Sequence, residues 1–150
     1  MGIHMHRDQN LTVVILSVIM LLITNTSFAF GNLSANDVKS LFSGNTVEGG
    51  RVEGAKQGVT SFYSEPFINY YGSDGRVYSV RGTSNKSGDW HVTNNGYLCI
   101  QWENKKEKCA PIYKDGDNYK QNMMSSKGKI KWTKTYTTFT SGDVKNLQGK

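Results

Sequence analysis

The sequence is poor in proline, cysteine and histidine. Its 150 residues include 2 Pro, 2 Cys and 3 His, and two of the histidines, His4 and His6, lie near the N-terminus. Two cysteines exclude a cysteine-dense miniature scaffold, and the scarcity of proline excludes a collagen-like chain. The length excludes a two-domain enzyme, so we expect at most one folded domain.

Long apolar runs are also scarce, apart from one near the N-terminus. Leu11 to Ile23 is apolar except for two residues, and as a helix it would span about 20 Å, short of the ~30 Å hydrocarbon core of a membrane. Arg7 precedes this run, and Ser27-Phe28-Ala29 follows it with the small-x-small spacing of a cleavage site. We predict a signal peptide at 1–29, a single β domain at 30–150, and no transmembrane segment after cleavage.

This leader predicts a periplasmic or secreted protein. Its removal deletes one base and one acid, so the net charge stays at +6. A basic chain can bind nucleic acid, but the predicted location argues against that partner, and we expect none. The charge favours an anionic ligand, such as a lipid head group or an acidic polysaccharide, or an acidic protein of the envelope.

The two cysteines, Cys99 and Cys109, are predicted to form a disulfide within one hairpin. Apolar and polar residues alternate over 98–102, which predicts a strand, and a polar turn around Asn104 leads to a second strand over 109–113. A hairpin centred on Asn104 places the two cysteines opposite each other, near disulfide reach. Because their spacing lacks the C-x-x-C redox pattern, we interpret the pair as structural.

A short helix is predicted before the strands. Ser34 begins a capping-box-like sequence, the apolar residues from Val38 to Phe42 follow helical spacing, and Gly44 ends the pattern. Two turns are too few to be stable alone. We therefore expect this helix to pack as a plug against one end of a sheet.

The rest of the chain predicts an all-β fold. Several of its short alternating runs are joined by Asn-Gly or Asp-Gly turns. The predicted strands cover 59–63, 67–71, 77–80, 90–92, 98–102, 110–113, 119–123 and 130–136. We predict an antiparallel meander that closes into a small barrel, with a sandwich as the alternative. Such a barrel could hold a small apolar ligand between inward-pointing aromatic rings.

Candidate catalytic groups are few. His91 is the one histidine after the leader, and its alternation with Trp90 and Val92 predicts that it points outward. The sequence has no G-x-S-x-G nucleophile turn, P-loop or dinucleotide fingerprint. With both thiols in a disulfide, a zinc site would need His91 together with carboxylates. We predict no catalytic residues, no metal site and no cofactor, and hence a protein that is not an enzyme.

Lysine is concentrated late in the chain. Residues 105–134 include nine Lys and three acids. Because the sequence alternates around the apolar Trp132, we expect Lys127, Lys129 and Lys131 to line one outer face. One interpretation is a solvated strand whose lysines discourage edge pairing. The functional interpretation is an anion-binding strip, and these three lysines are our candidate ligand-binding residues.

Several short motifs occur in a distinctive order. They are Phe42-Ser43-Gly44-Asn45-Thr46, Tyr70-Tyr71-Gly72-Ser73-Asp74-Gly75, Gly88-Asp89-Trp90, Leu98-Cys99-Ile100 with Cys109, and Gly142-Asp143-Val144-Lys145-Asn146-Leu147. The series resembles small exported proteobacterial proteins of domain-of-unknown-function family 995, over about 33–147. The resemblance implies a periplasmic or secreted bacterial protein, and it implies no established activity and no catalytic residues. The lysine-rich stretch after Lys105 departs from the family pattern.

These observations together predict a non-catalytic exported protein of the bacterial envelope. We expect it to bind a partner protein, or an anionic or small ligand. One alternative is a small β-barrel carrier of a hydrophobic ligand. Two others are a small hydrolase, using His91 or a pair of acids, and an enzyme inhibitor. The net charge of +6 disfavours a basic target such as lysozyme and leaves an acidic target enzyme open.

Overall fold

The computed structural model describes residues 31–53 and 65–149. The predicted signal peptide, 1–29, lies outside the described residues, and so does the strand predicted over 59–63. Within the described part, one short helix precedes a series of antiparallel strands. The predicted all-β class with a short N-terminal helix is therefore confirmed.

Helix α1 (Ala35–Phe42) begins and ends where the sequence predicts. The Ser34 hydroxyl accepts a hydrogen bond from the backbone N–H of Asp37 at 3.2 Å. This bond satisfies one of the N–H groups that the first turn of a helix leaves free. Gly44 follows with a φ of 73°, a left-handed conformation that glycine adopts without steric strain and that ends the helix.

Nine strands follow the helix within the described residues. They are β1 (Asn45–Glu53), β2 (Glu65–Tyr71), β3 (Arg76–Arg81), β4 (Ser84–Val92), β5 (Tyr97–Trp102), β6 (Lys108–Pro111), β7 (Tyr113–Asp115), β8 (Asn118–Met124) and β9 (Ile130–Ser141). Six of the predicted strands lie inside these bounds. The strand predicted over 110–113 is divided at Ile112 between β6 and β7.

Strand β1 was not predicted, because Gly49 and Gly50 interrupt its apolar pattern. It nevertheless pairs along its length with β2 and with β9, and its register against β9 shifts between Glu48 and Gly49. A Cβ at Gly49 would collide with the backbone oxygen of Thr135 and lie 2.9 Å from the ring of Phe67. The glycine therefore marks a close approach between neighbouring strands.

The sheet curls into a nearly closed barrel. Its strand order is β6-β5-β4-β3-β2-β1-β9-β8-β7, and every pairing is antiparallel. Gln121 of β8 spans the remaining seam, donating from Nε2 to the carbonyl oxygens of Leu98 on β5 at 3.2 Å and Ala110 on β6 at 3.3 Å. The structure confirms the meander and favours the barrel over the sandwich.

Helix α1 plugs one end of this barrel. Val38 and Phe42 on its apolar face are fully buried. The Phe42 ring meets the rings of Tyr71 and Tyr136 edge-on, with centroids 4.9 and 5.1 Å away, in the geometry that aromatic pairs favour. The predicted plug is confirmed.

The predicted hairpin disulfide is also confirmed. Cys99 of β5 lies directly opposite Cys109 of β6, and the two are bonded. Asn104 lies in the turn between these strands with a φ of 57°, which suits an Asn in a tight turn. The disulfide thus joins two neighbouring strands beside the seam.

Candidate functional site

The inner face of the barrel changes character from one end to the other. Alternate residues of each strand point inward. Beside helix α1 these positions hold large apolar or aromatic side chains, all of them buried, and we call this region the closed end: Val47, Tyr71, Val77, Leu98 and Tyr136. At the opposite end the alternation continues with positive side chains, and we call it the open end because no helix of residues 31–53 and 65–149 covers it. These inner cations are Arg51, Arg81, Lys86, Lys108 and Lys134.

The open end contains a cavity of about 520 Å³. This volume lies within the range of sites that bind small molecules. Its apolar walls are formed by Phe67, Ile100, Trp102, Met123 and Trp132. Three further lysines reach it: Lys105, Lys106 and Lys131. Among the described residues that line it, Glu53 is the one acid, so the cavity is strongly positive.

Two of the inner cations lie over aromatic rings. The Arg51 guanidinium lies 5.3 Å from the centre of the Trp132 ring. The Lys134 ammonium lies 5.1 Å from the ring centre of Phe67 and 5.6 Å from that of Trp132. A cation over a ring face is attracted to it, so these contacts hold the positive groups against the cavity wall.

Lys134 has the most perturbed charge among these groups. It is half-buried and lies directly opposite Arg51 in the pairing of β1 with β9. Burial is the main reason that its pKa falls from 10.5 to about 7, and the positive charges of Arg81 and Arg51 act in the same direction. Near neutral pH the ammonium is therefore close to losing its proton, and a nearby anion would favour the protonated form.

The two arginines are incompletely satisfied. Arg51 forms an ion pair with Glu53, and Arg81 Nε lies 2.6 Å from Glu65 Oε1. Among the described residues the buried Nε of Arg51 has no hydrogen-bond partner, whereas the short contact with Glu65 holds the Nε of Arg81. Burial also lowers the pKa of Arg81. Both guanidinium groups line the cavity, and each has further N–H groups that could donate to an incoming anion.

The inner end of the cavity is polar. Asn69 is 1% exposed and donates from Nδ2 to the Tyr71 hydroxyl at 3.0 Å, but its Oδ1 has no partner among the described residues. The Tyr136 hydroxyl donates to Gln121 Oε1 at 2.8 Å. Burial raises the pKa of Tyr71 and of Tyr136, so both hydroxyls stay protonated at neutral pH. Asn69 thus brings an unsatisfied polar atom to the cavity.

The three lysines predicted as a binding strip do not share one environment. Lys127 lies in the turn after β8, Lys129 just before β9, and Lys131 within β9, and all three are exposed. Of the three, Lys131 lines the cavity. Trp132 is buried, as the alternation predicts. Binding by the strip itself stays a prediction.

Sequence reasoning missed the inner cations. Lys134 is spaced by two residues from Trp132 and from Tyr136, so the alternation that placed these rings inside also places Lys134 inside. Arg81 follows Val77 and Ser79 in the same way. Arg51 had no such signal, because β1 was not predicted as a strand.

A second group of polar side chains lies outside the barrel, beside the disulfide. His91 is exposed, as predicted, and its Nδ1 lies 3.5 Å from Glu107 Oε1. Together with Cys99 they form the one cluster of three potential metal ligands found among residues 31–53 and 65–149. The Cys99 sulfur is bonded to Cys109, so it cannot act as a thiolate ligand in this state.

Comparison with known proteins identifies no relative: no protein-family model, curated protein or solved structure matches this chain. In the part of the chain that the structure describes, no helix has the length and apolar character needed to cross a membrane.

Proposed function

We propose that this chain is an exported, non-catalytic bacterial binding protein that holds a small organic anion in the cavity at the open end. The observation that carries this proposal is the set of five inner cations. A small barrel that served only as a scaffold would fill inward positions with apolar side chains. Positive groups there, with little acid to balance them, favour a negatively charged occupant.

The charge balance supports an anion in particular. Burial is the main cause of the lowered pKa of Lys134, and repulsion by the positive charges of Arg81 and Arg51 adds to it. An anion between these positive groups would replace repulsion by attraction and accept hydrogen bonds from the guanidinium groups. The rings of Trp102 and Trp132 line the same cavity. They favour an organic anion over an inorganic one, because part of the occupant would contact apolar surface.

Export is supported by features outside the cavity. The leader pattern of 1–29 precedes a domain with one disulfide, and disulfides persist in oxidising compartments such as the periplasm and the exterior of the cell. We further propose, on the motifs quoted above, that the chain is related to domain-of-unknown-function family 995. The location we infer is periplasmic or secreted, within or near the bacterial envelope.

A fluorescent probe pair tests the binding proposal. Anilinonaphthalene sulfonate is an aromatic anion, and phenylnaphthylamine has the same rings without the sulfonate. We expect the sulfonate to bind the exported product and Lys134→Met to weaken it by roughly tenfold, the loss typical of a hydrogen bond to a charged group. Lys129→Met is the matched control, because Lys129 is an exposed lysine just before the strand that carries Lys134, and it does not line the cavity.

The neutral probe separates the anion site from a hydrophobic carrier. If phenylnaphthylamine binds as tightly as the sulfonate, and Lys134→Met affects neither probe, the anion-binding proposal is wrong and the carrier alternative replaces it. If Lys129→Met weakens the sulfonate as much as Lys134→Met, the outer lysine strip binds it instead.

Export is tested by expressing the full chain in a Gram-negative host. We expect the product in the periplasm or the medium, with Phe30 as its first residue on N-terminal sequencing. An uncleaved chain that stays in the cytoplasm, with reduced cysteines, would contradict the proposed location.

A further inference from the structure

The distance between the polar inner end of the cavity and the inner cations sets the length of ligand that can contact both. In the pairing of β2 with β3, Asn69 lies opposite Ser79. Arg81 is two residues nearer the open end than Ser79, or about 7 Å along the strand. On β1, Val47 lies opposite Asn69, and Arg51 is four residues nearer the open end, or about 13 Å. A ligand that contacts Asn69 as well as the two arginines is therefore about 7–13 Å long.

Aromatic side chains line the cavity on opposite sides. Strands β1, β2 and β9 are neighbours in the sheet and carry Phe67 and Trp132, with Arg51 and Lys134 over these rings. Strand β5, which carries Trp102, is four strands away from β1 in the sheet order. In a nearly closed barrel these strands face each other. The cavity between them is therefore bounded by aromatic side chains, and an aromatic ring inside it would contact apolar surface.

Building on the proposed function, we propose that the ligand is an aromatic acid of one or two fused rings. Its acidic group binds Arg51 and Arg81, its ring lies in the cavity that Trp132 and Trp102 line, and a hydroxyl or amino group on the far side donates to Asn69. This arrangement fills the cavity from the open end inward. It uses the buried oxygen of Asn69 that has no partner among the described residues.

Two other classes of anion fit less well. An acyl chain would bring methylene groups against Asn69 Oδ1, and a buried polar atom without a partner is destabilising. An inorganic anion could satisfy the arginines but would make no contact with the apolar walls that Phe67, Trp102 and Trp132 form. The aromatic acid alone satisfies the cations, the rings and the amide together.

Competition among four carboxylates tests whether the ligand contains an aromatic ring. The displaced probe is anilinonaphthalene sulfonate, bound to the wild-type exported product. The competitors are naphthoate, hydroxynaphthoate with the hydroxyl remote from the carboxylate, decanoate and acetate, so the acidic group stays constant. We expect naphthoate to displace the probe at a concentration at least tenfold below those of decanoate and acetate, because stacking adds to the charge contact.

The role of Asn69 is tested by a ratio measured within each variant. In the wild type we expect hydroxynaphthoate to bind about three- to tenfold more tightly than naphthoate, the usual effect of one hydrogen bond. In Asn69→Leu this ratio should fall to about one. Because both ligands are measured on the same variant, a general loss of stability affects both affinities equally and leaves their ratio unchanged. Asn122→Leu is the matched control, because Asn122 bonds to Tyr113 and Thr133 and does not line the cavity.

The possible outcomes separate this inference from the proposed function. If decanoate competes as well as naphthoate while Lys134→Met still weakens the sulfonate, the aromatic ligand is wrong and the anion site stands. If the hydroxyl has no effect, or its effect persists in Asn69→Leu, the contact with Asn69 is wrong. If the sulfonate binds no better than its neutral analogue and is unaffected by Lys134→Met, the proposed function itself fails.

Discussion

The two ends of this barrel are built by the same strands but differ in what those strands place inside. On β9, Tyr136 is fully buried at the closed end, whereas Lys134, two residues away on the same face, is a half-buried cation in the cavity. On β3, Val77 and Arg81 show the same change. The alternation of a strand therefore determines which side chains point inward, and their chemistry determines whether they form a core or a site.

The two ends also differ in their expected effect on stability. At the closed end, helix α1 and the rings of Phe42, Tyr71 and Tyr136 bury apolar surface, which stabilises the fold. At the open end, several positive groups lie close together, and their mutual repulsion destabilises the folded state. Changes at the closed end should therefore reduce stability, whereas loss of a cation at the open end should increase it.

The largest loss of stability is expected for a truncation in helix α1, which plugs the closed end. Phe42→Ala should lower the free energy of unfolding by about 3–5 kcal/mol, because it leaves a cavity among packed rings. Met123→Ala is the matched truncation at the open end, where the side chain is half-buried, and it should lower the free energy by about 1 kcal/mol. Urea unfolding measures both, and equal losses would contradict the contrast between the two ends.

The next largest loss of stability is expected on removal of the disulfide, which lies outside the interior of the barrel. Replacing Cys99 and Cys109 together by Ala should lower the free energy of unfolding by about 2–3 kcal/mol, the expected effect of a short closed loop. Affinity for the aromatic sulfonate should stay within about twofold, because neither cysteine lines the cavity. The measurements are urea unfolding and probe titration. A large loss of affinity would mean that the hairpin controls the shape of the open end.

A smaller effect of opposite sign is expected at Lys134. Burial lowers its pKa to about 7 from 10.5, so between these pH values the unfolded chain binds more protons than the folded one, and stability rises with pH. We expect Lys134→Met to stabilise the protein by about 1–2 kcal/mol at pH 6, after allowance for partial exposure, and by less at pH 9. Urea unfolding between these pH values tests this. If Lys134→Met destabilised the protein instead, the Lys134 side chain would stabilise the fold, which would contradict the prediction.

The smallest effect is the pH dependence of binding. Protonated Lys134 attracts an anion and neutral Lys134 does not, so sulfonate affinity should fall several-fold as pH rises from 6 to 8, with an upper limit of about tenfold per pH unit. The sulfonate does not titrate in this range. Lys134→Met should abolish the dependence, whereas His91→Gln should retain it, because His91 lies on the outer face. A dependence that followed His91 would contradict the role of Lys134.

The fold was largely predictable because its signals are local. Ser34 and Gly44 bound the helix by capping chemistry, and the alternation on both sides of Asn104 indicated which residues the hairpin would pair. Strand β1 was missed because Gly49 is required by the close approach of Phe67 and Thr135, and neither is near it in the sequence. The candidate site was missed for a related reason: a cation in an alternating strand can face solvent or a cavity, and the sequence does not say which end of the barrel is open.

Strand β1 pairs with β9, so Thr46 near the start of the domain lies opposite Thr140 near its end. Pairing of such distant segments requires the closure of a long loop, so we expect it to form late in folding. The same pairing brings Arg51 and Lys134 together. Until this last strand is in place, the chain has neither a closed wall nor a complete set of inner cations. The anion affinity that we propose therefore depends on the placement of the final strand.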